Sequence, residues 1–288
     1  MLQESQIKKL TLGTAQFGLN YGITNVSGKM TSSEIQQVID TAYSLGITKI
    51  DTAPGYGDAE FELGSIGVKD FALFSKLPRI KDGDTREDLL KIIKSSIDRM
   101  KIEQLEGLLL HYPWDLLSEK VTVLRDVLEE ASRLGLYKRL GISLYEPHEI
   151  HQFMDIVSFD FIQAPVNIFD QRFCDPNLLK FLREKNIKLH ARSVYLQGLL
   201  LDRKNFKSRK INKQLKKYLK EWFTWLDKHA LSEVEAAISF VLRLNEVENI
   251  VFGISCAKDL EELLSSSIVD MDFPDFGVNP IYTDPRKW

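Results

Sequence analysis

The stretch Gly46-Ile-Thr-Lys-Ile-Asp51-Thr-Ala-Pro-Gly-Tyr56 runs from an apolar segment into a turn that carries an acid and a phenol. Its first five residues are typical of a short β-strand, and Pro54, Gly55 and Gly57 prevent any regular continuation, so we expect Tyr56 on a loop. Barrel enzymes keep their chemistry on loops at the carboxyl ends of their strands. The stretch therefore predicts one strand of a βα barrel with a functional site at its carboxyl end.

Strand-like runs alternate with helix-period segments along almost the whole chain, as in parallel βα units. The first long helix is predicted from a capping box formed by Thr31 and Glu34, which an apolar stripe follows. Eight strands over about 250 residues predict a (β/α)8 TIM barrel. We expect a single domain over 1–288, with the barrel at about 8–266, a C-terminal tail at 267–288, and strands near 8–13, 48–52, 71–76, 105–110, 138–142, 160–164, 187–193 and 249–253.

The composition is that of an ordinary globular protein, with 288 residues, 44% hydrophobic residues and a formal charge of −3. It favours neither nucleic acid nor membrane as a partner. The N-terminal residues lack the apolar core of a secretory signal, and Cys174 and Cys256 form no paired spacing, so we expect a cytoplasmic protein without disulfides or a metal site. The oligomeric state stays open.

Two later strand ends supply partners for the first one. Lys76 follows Phe71-Ala-Leu-Phe-Ser75, and His111 follows Leu108-Leu-Leu110. A tyrosine, whose ordinary pKa is about 10, donates a proton at neutral pH only if a nearby cation lowers that pKa. Lys76 can be that cation, and Asp51 can hold it in place. An ion pair between Lys76 and Asp51 that only stabilises the fold would have the same geometry. The presence of Tyr56 favours catalysis, with Tyr56 as general acid.

Four segments resemble the aldo-keto reductases in order and spacing, over about residues 8 to 266: Leu12-Gly-Thr-Ala-Gln-Phe-Gly18, Asp51-Thr-Ala-Pro-Gly-Tyr56, Ser75-Lys76 and Leu110-His-Tyr-Pro113. The resemblance implies reduction of an aldehyde or ketone, sugar-derived compounds among them, by NADPH or NADH. It also implies that Asp51 orients Lys76 and that His111 hydrogen-bonds the substrate carbonyl. The compact length and the ending Asp284-Pro-Arg-Lys-Trp288 are similar to bacterial members found near surface-polysaccharide genes.

The same resemblance implies a set of cofactor-binding residues: Gly13, Thr14, Ser143, Gln163, Arg192, Ser193, Gly198, Gly253, Ser255 and Asp259. Two positions depart from the family pattern. Leu144 replaces the asparagine that usually accompanies the serine on the nicotinamide carboxamide. Arg192 replaces the tyrosine that stacks on the nicotinamide ring; its planar guanidinium can also stack, or it can point at the substrate or a phosphate.

The segment Gly253-Ile-Ser-Cys-Ala-Lys-Asp259 opens the last helix, and its N-terminus offers free N–H groups to the adenine-nucleotide end of a cofactor. Reductases that favour NADPH place arginine or lysine here for the 2′-phosphate. This chain has Ser255, Cys256 and Asp259, with only Lys258 basic. We therefore expect NADH to be accepted at least as well as NADPH, unless Lys258 or Arg203 receives the phosphate.

Aromatic residues are the candidates for the substrate pocket: Tyr21, Tyr112 and Trp114. Their rings suit a partly apolar or sugar-like carbonyl compound. Aromatic residues of the tail could join them or could pin the tail to the barrel: Phe273, Phe276, Tyr282 and Trp288. In the basic stretch 203–220, most lysines are predicted on a solvated helix face, which leaves Arg203 and Lys204 as candidates for a phosphate.

Two alternatives to reduction remain at this point. A redox-silent regulatory barrel would bind a nucleotide as a signal, and generic aldehyde turnover separates it from a reductase. A lyase or isomerase would form a Schiff base through Lys76, and borohydride trapping would label it.

Overall fold

Eight parallel strands close into a barrel in chain order, β1 to β8, in the computed structural model, which describes residues 1–287. Each predicted strand overlaps an observed one to within two residues at either end, and the predicted (β/α)8 barrel is confirmed. The strands are β1 Leu10–Gly13, β2 Lys49–Asp51, β3 Ala72–Leu77, β4 Leu105–Leu110, β5 Tyr137–Ser143, β6 Phe161–Pro165, β7 Lys188–Arg192 and β8 Val247–Phe252.

Helices follow the strands and pack their apolar stripes on the outside of the barrel. The predicted capping box is present, since Thr31 Oγ1 accepts from the Glu34 N–H at 3.3 Å and Glu34 Oε2 accepts from the Thr31 N–H at 2.8 Å. The described helices are α1 Glu4–Ile7, α2 Ala15–Gly18, α3 Ser32–Ser44, α4 Ala59–Ile66, α5 Arg86–Met100, α6 Val121–Arg133, α7 Glu149–Met154, α8 Pro176–Glu184, α9 Lys213–His229, α10 Glu233–Leu242 and α11 Ala257–Ser265.

Aromatic rings fill the barrel interior below its carboxyl end. Phe161 on β6 stacks on His190 of β7 with ring centroids 4.1 Å apart, and Phe74 on β3 meets both rings edge-on. Glycines on the intervening strands make room, because a Cβ at Gly107 or Gly141 would lie less than 3.0 Å from the Phe161 ring. Large rings beside glycines therefore fill the interior at this level, as in the packed core of a TIM barrel.

The tail after α11 lies against the last long helices. Phe273 packs on Trp225, and Phe276 packs on Trp222, with ring centroids 5.7 and 6.2 Å apart. Tyr282 lies 6.4 Å from the ring of Tyr218. These contacts pin the tail to the barrel; Trp288 lies outside the described residues.

Among residues 1–287, none of the helices combines the length and the hydrophobicity needed to cross a membrane.

Gly141→Ala should lower the free energy of unfolding by about 1–3 kcal/mol, because the added methyl group must displace the Phe161 ring in a filled interior. The control is Gly55→Ala, where an added Cβ meets nothing within 4 Å. Urea unfolding followed by circular dichroism measures both. Equal stability of the two variants would contradict the packing described here.

Candidate active site

One cavity of about 1130 Å³ lies at the carboxyl ends of the strands. It is larger than the 300–1,000 Å³ typical of small-molecule sites, as a dinucleotide together with a substrate would need. The candidates for catalysis, for cofactor binding and for the barrel part of the substrate pocket line it: Gly13, Thr14, Tyr21, Asp51, Tyr56, Lys76, His111, Tyr112, Trp114, Ser143, Gln163, Arg192, Ser193, Gly198, Gly253, Ser255 and Asp259. The barrel thus brings together side chains that are up to 246 positions apart, from Gly13 to Asp259 (259 − 13).

The base of the cavity holds a buried ion pair. Lys76 Nζ lies 2.5 Å from Asp51 Oδ1, and it also donates to the carbonyl oxygen of Thr52 at 2.7 Å. The two charged side chains are 2% and 4% exposed. The second oxygen of Asp51 accepts from Gln163 Nε2 at 2.7 Å, so the carboxylate is held from both sides.

Lys76 is a permanent cation beside the phenol ring of Tyr56, whose centroid lies 5.0 Å from Nζ. Burial by itself lowers the pKa of Lys76, but the charge of Asp51, reinforced by Tyr56 and by hydrogen bonds, outweighs burial and raises that pKa above its ordinary value. The ammonium therefore keeps its proton through the neutral range.

His111 faces the cavity as a neutral imidazole. Its enclosure by the cavity walls and the positive charge of Lys76 lower its pKa to about 4, against an ordinary value of 6.5. The charge of Arg192 acts in the same direction. At neutral pH the ring can therefore donate a hydrogen bond through one nitrogen.

Ser143 and Gln163 are paired across β5 and β6 at the wall of the cavity. Because the amide nitrogen of Gln163 donates to Asp51, its oxygen is the atom that remains for a ligand. The side chain of Leu144 is fully buried in the hydrophobic core. This chain therefore offers the serine hydroxyl and the glutamine oxygen at this wall, without a third polar group at position 144.

The side chain of Arg192 packs on Tyr145, with Cζ 4.2 Å from the ring centroid. The sequence analysis missed Tyr145 and Arg286, which also line the cavity. Arg286 Cζ lies 3.5 Å from the centroid of the same ring. Nothing in the local sequence of the tail signals this contact, because it depends on where the tail crosses the barrel mouth.

Four acids line the cavity toward β8 and α11: Asp202, Glu233, Asp259 and Glu262. Asp202 and Glu233 are paired with Arg209 and Arg203, which leaves Asp259 and Glu262 as the acids of this wall without an arginine partner in the described part of the chain. Asp259 Oδ2 accepts from the N–H groups of Ser255 at 2.6 Å and Cys256 at 3.2 Å. This capping box occupies donors at the start of α11 that a phosphate would otherwise use. Among residues 1–287, the lysines and arginines that line the cavity lie away from this end: Lys76, Arg192 and Arg286.

Two loops meet over the cavity between its ends. Gly198 has a φ of +88°, and a Cβ there would overlap the Thr24 side chain. Thr24 Oγ1 donates to the Gln197 carbonyl oxygen at 3.2 Å, and Arg209 donates to the Thr24 carbonyl oxygen at 3.3 Å. The loop after β1 is thereby tied to the loop after β7.

Several candidates lie away from the cavity. Phe273, Phe276 and Tyr282 are absent from its wall, because they pack against helices instead. Arg203 is also absent from the wall, since its guanidinium pairs with Asp227 and Glu233. The alternative that Arg203 receives a phosphate stays a prediction, and it would require Arg203 to leave these two carboxylates. Within residues 1–287 no group of histidine, cysteine or acidic side chains is arranged to hold a metal ion.

Comparisons with known proteins agree with the fold and extend it. The model of the Aldo/keto reductase family matches residues 9–276. The chain is 22% identical to aldo-keto reductase YhdN of Bacillus subtilis, over 57% of this chain and 53% of that protein, so it spans about half the length of that relative. It is 25% identical to the NADH-specific methylglyoxal reductase of Escherichia coli, over 67% of this chain and 69% of that protein.

A solved structure shows the same fold. An aldo-keto reductase of Bacillus halodurans, in its holo form, superposes with a TM-score of 0.74 over 91% of this chain and 88% of that one, at 17% sequence identity.

The pKa of His111 should be about 4 when measured by NMR titration of the imidazole. Lys76→Met should raise that pKa toward 6.5 by removing a neighbouring cation, whereas Lys91→Met, which removes an exposed lysine, should leave it unchanged. Between pH 6.5 and about pH 4, His111 is protonated in the unfolded chain but stays neutral in the folded protein. Stability is therefore lost as the pH falls through this window. A wild-type pKa near 6.5 would contradict the effect that the cavity walls and Lys76 are expected to have on the ring.

Proposed function

The chain belongs to the aldo/keto reductase family, and from that premise we propose that it reduces an aldehyde or ketone with a nicotinamide nucleotide, Tyr56 being the proton donor. The observation that carries the proposal is the cavity base. There a buried lysine, paired with Asp51, lies 5.0 Å from the ring of Tyr56 beside a neutral His111.

The size of the cavity, about 1130 Å³, supports the binding of a dinucleotide. Ser143 and the free oxygen of Gln163 suit the nicotinamide carboxamide, and the loop after β7, with Ser193 and Gly198, runs toward the start of α11. Gly253, Ser255 and Asp259 lie there for the adenosine. Gly13 and Thr14 line the floor between these ends. When bound, the reduced nicotinamide supplies the hydride.

The chain's own residues supply the proton. Tyr56 donates its hydroxyl proton to the carbonyl oxygen, and the positive charge of Lys76 stabilises the phenolate that remains. Asp51 and the Thr52 carbonyl fix the position of that ammonium. His111 donates a hydrogen bond to the same carbonyl oxygen, which its neutral form permits. Tyr21, Tyr112 and Trp114 form the aromatic wall against which the substrate packs.

The two alternatives are less well supported. A Schiff base requires a neutral amine, but the pKa of Lys76 is raised and its ammonium is bound by Asp51 and Thr52. A redox-silent barrel would have no need of the tyrosine, lysine and histidine that meet at the cavity base.

We further propose that NADH is accepted at least as well as NADPH. A 2′-phosphate at the start of α11 would meet Asp259 and Glu262 with no lysine or arginine of residues 1–287 in that wall. Asp259 also occupies the Ser255 and Cys256 N–H groups. The Escherichia coli relative, named as NADH-specific, supports the same preference.

Tyr56→Phe should keep the affinity for reduced nucleotide and lower the reduction rate by about 10²–10⁴-fold, because only the proton donor is lost. Turnover of a generic aldehyde is followed by nucleotide absorbance, and binding is followed by fluorescence. Tyr43→Phe, at an exposed position on α3, serves as control. Wild-type turnover in Tyr56→Phe would rule out the assigned role.

Wild-type protein should bind NADH at least as tightly as NADPH in a titration followed by quenching of tryptophan fluorescence. Asp259→Asn, which removes the charge and keeps an acceptor oxygen, should improve the affinity for NADPH relative to NADH by several-fold, and Asp259→Arg should improve it further. Glu261→Gln is the matched control, since Glu261 lies on the same helix outside the cavity wall. NADPH binding more than tenfold tighter to the wild type would show the preference to be wrong.

A further inference from the structure

The ring of Tyr145 contacts two arginines at the substrate side of the cavity. The Cζ atoms of Arg192 and Arg286 lie 4.2 and 3.5 Å from its centroid. The shared ring therefore holds the two guanidinium groups in one region of the cavity. All three side chains line the cavity.

A buried network fixes the position of Arg286. Its Nε and Nη2 bind the carboxylate of Asp284 at 2.6–3.1 Å, and that carboxylate is 1% exposed. The preceding residue, Thr283, donates its hydroxyl to Asp170 Oδ2 at 3.1 Å. Arg172 pairs with the same Asp170 at 2.6 Å. The tail therefore presents Arg286 at a defined place on the cavity rim.

Arg192 carries a charge that the protein leaves uncompensated. Its guanidinium donates only to Ser193 Oγ at 3.3 Å and to the Leu144 carbonyl oxygen at 3.2 Å, and no carboxylate of residues 1–287 forms an ion pair with it. The neighbouring cations have partners, Asp51 for Lys76 and Asp284 for Arg286. A half-buried cation without a counter-ion is costly, and a bound anion would offset that cost.

The charge of Arg192 lies on the substrate side of the cavity. It acts on the imidazole of His111 and on the hydroxyl of Tyr21. Glu149 also lines the cavity, and its Oε2 accepts from the N–H groups of Tyr145 at 2.9 Å and Glu146 at 3.0 Å. This carboxylate is thus bound to the backbone of the loop that carries Tyr145.

We propose that the substrate is a carbonyl compound with an oxyanion group, a carboxylate or a phosphate, and that Arg192 and Arg286 bind that group while the carbonyl meets Tyr56 and His111. This inference rests on the proposed reductase activity and specifies its substrate class. Because Nε and Nη2 of Arg286 donate to Asp284, the N–H groups on Nη1 are the ones that can donate to the anion. The tail residue Arg286 is then a determinant of specificity.

The test uses matched aldehydes that differ in charge, with NADH as cofactor. Succinic semialdehyde is compared with butanal for a carboxylate, and glyceraldehyde 3-phosphate is compared with glyceraldehyde for a phosphate. We expect kcat/KM to be at least about tenfold higher for the charged member of one pair, and that pair identifies the anion. Arg286→Gln should reduce this ratio by about tenfold, whereas Lys287→Gln, which removes a neighbouring tail charge outside the cavity wall, should preserve it.

Two results would overturn the inference: equal kcat/KM within both pairs, or a charge preference that survives both Arg286→Gln and Arg192→Gln. If Arg192 serves the nicotinamide alone, Arg192→Gln will weaken NADH binding without changing the ratio of kcat/KM between charged and uncharged aldehydes.

A binding measurement separates this inference from the proposed activity. Succinate and inorganic phosphate are titrated into the NADH complex, and one of them should bind at least about tenfold more weakly to Arg286→Gln than to wild type. Equal binding refutes the anion site even if no aldehyde is reduced.

Discussion

The ion pair between Lys76 and Asp51 is the interaction on which the mouth of the barrel depends. Two charges with side chains 2% and 4% exposed persist only when every neighbouring group satisfies them, and here Thr52 and Gln163 complete the set. Removing one partner of such a pair typically costs about 3–5 kcal/mol. The pair also joins β2 to β3, and through Gln163 to β6, so that structural closure and proton chemistry share the same contacts.

The cavity divides its charges between two ends. Acids line the end beside α11, and the arginines Arg192 and Arg286 lie at the catalytic end. Because charges in a poorly solvated cavity act strongly on a ligand, the two proposals, a dinucleotide without an extra phosphate and a substrate with a negative group, rest on this one distribution of side chains.

The tail is held against the barrel along its length. Aromatic contacts with α9 and α10 hold its first half, and the network of Thr283, Asp284 and Asp170 holds its end. An arginine on a free tail would lose much conformational entropy on binding a ligand, whereas Arg286 is already ordered by Asp284 and by the Tyr145 ring.

The sequence by itself determined the barrel, because the alternation of strand and helix periods and the cap at Thr31 are local properties. It also predicted that Asp51, Lys76 and His111 meet at the cavity, since the carboxyl ends of parallel strands meet at one edge. Only the tertiary structure decided which side chains contact each other. Gln163 donates a hydrogen bond to Asp51, Arg203 forms an ion pair with Glu233, and Arg286 packs on the ring of Tyr145. Such contacts depend on distances between segments remote in the chain, for which local periodicity carries no signal.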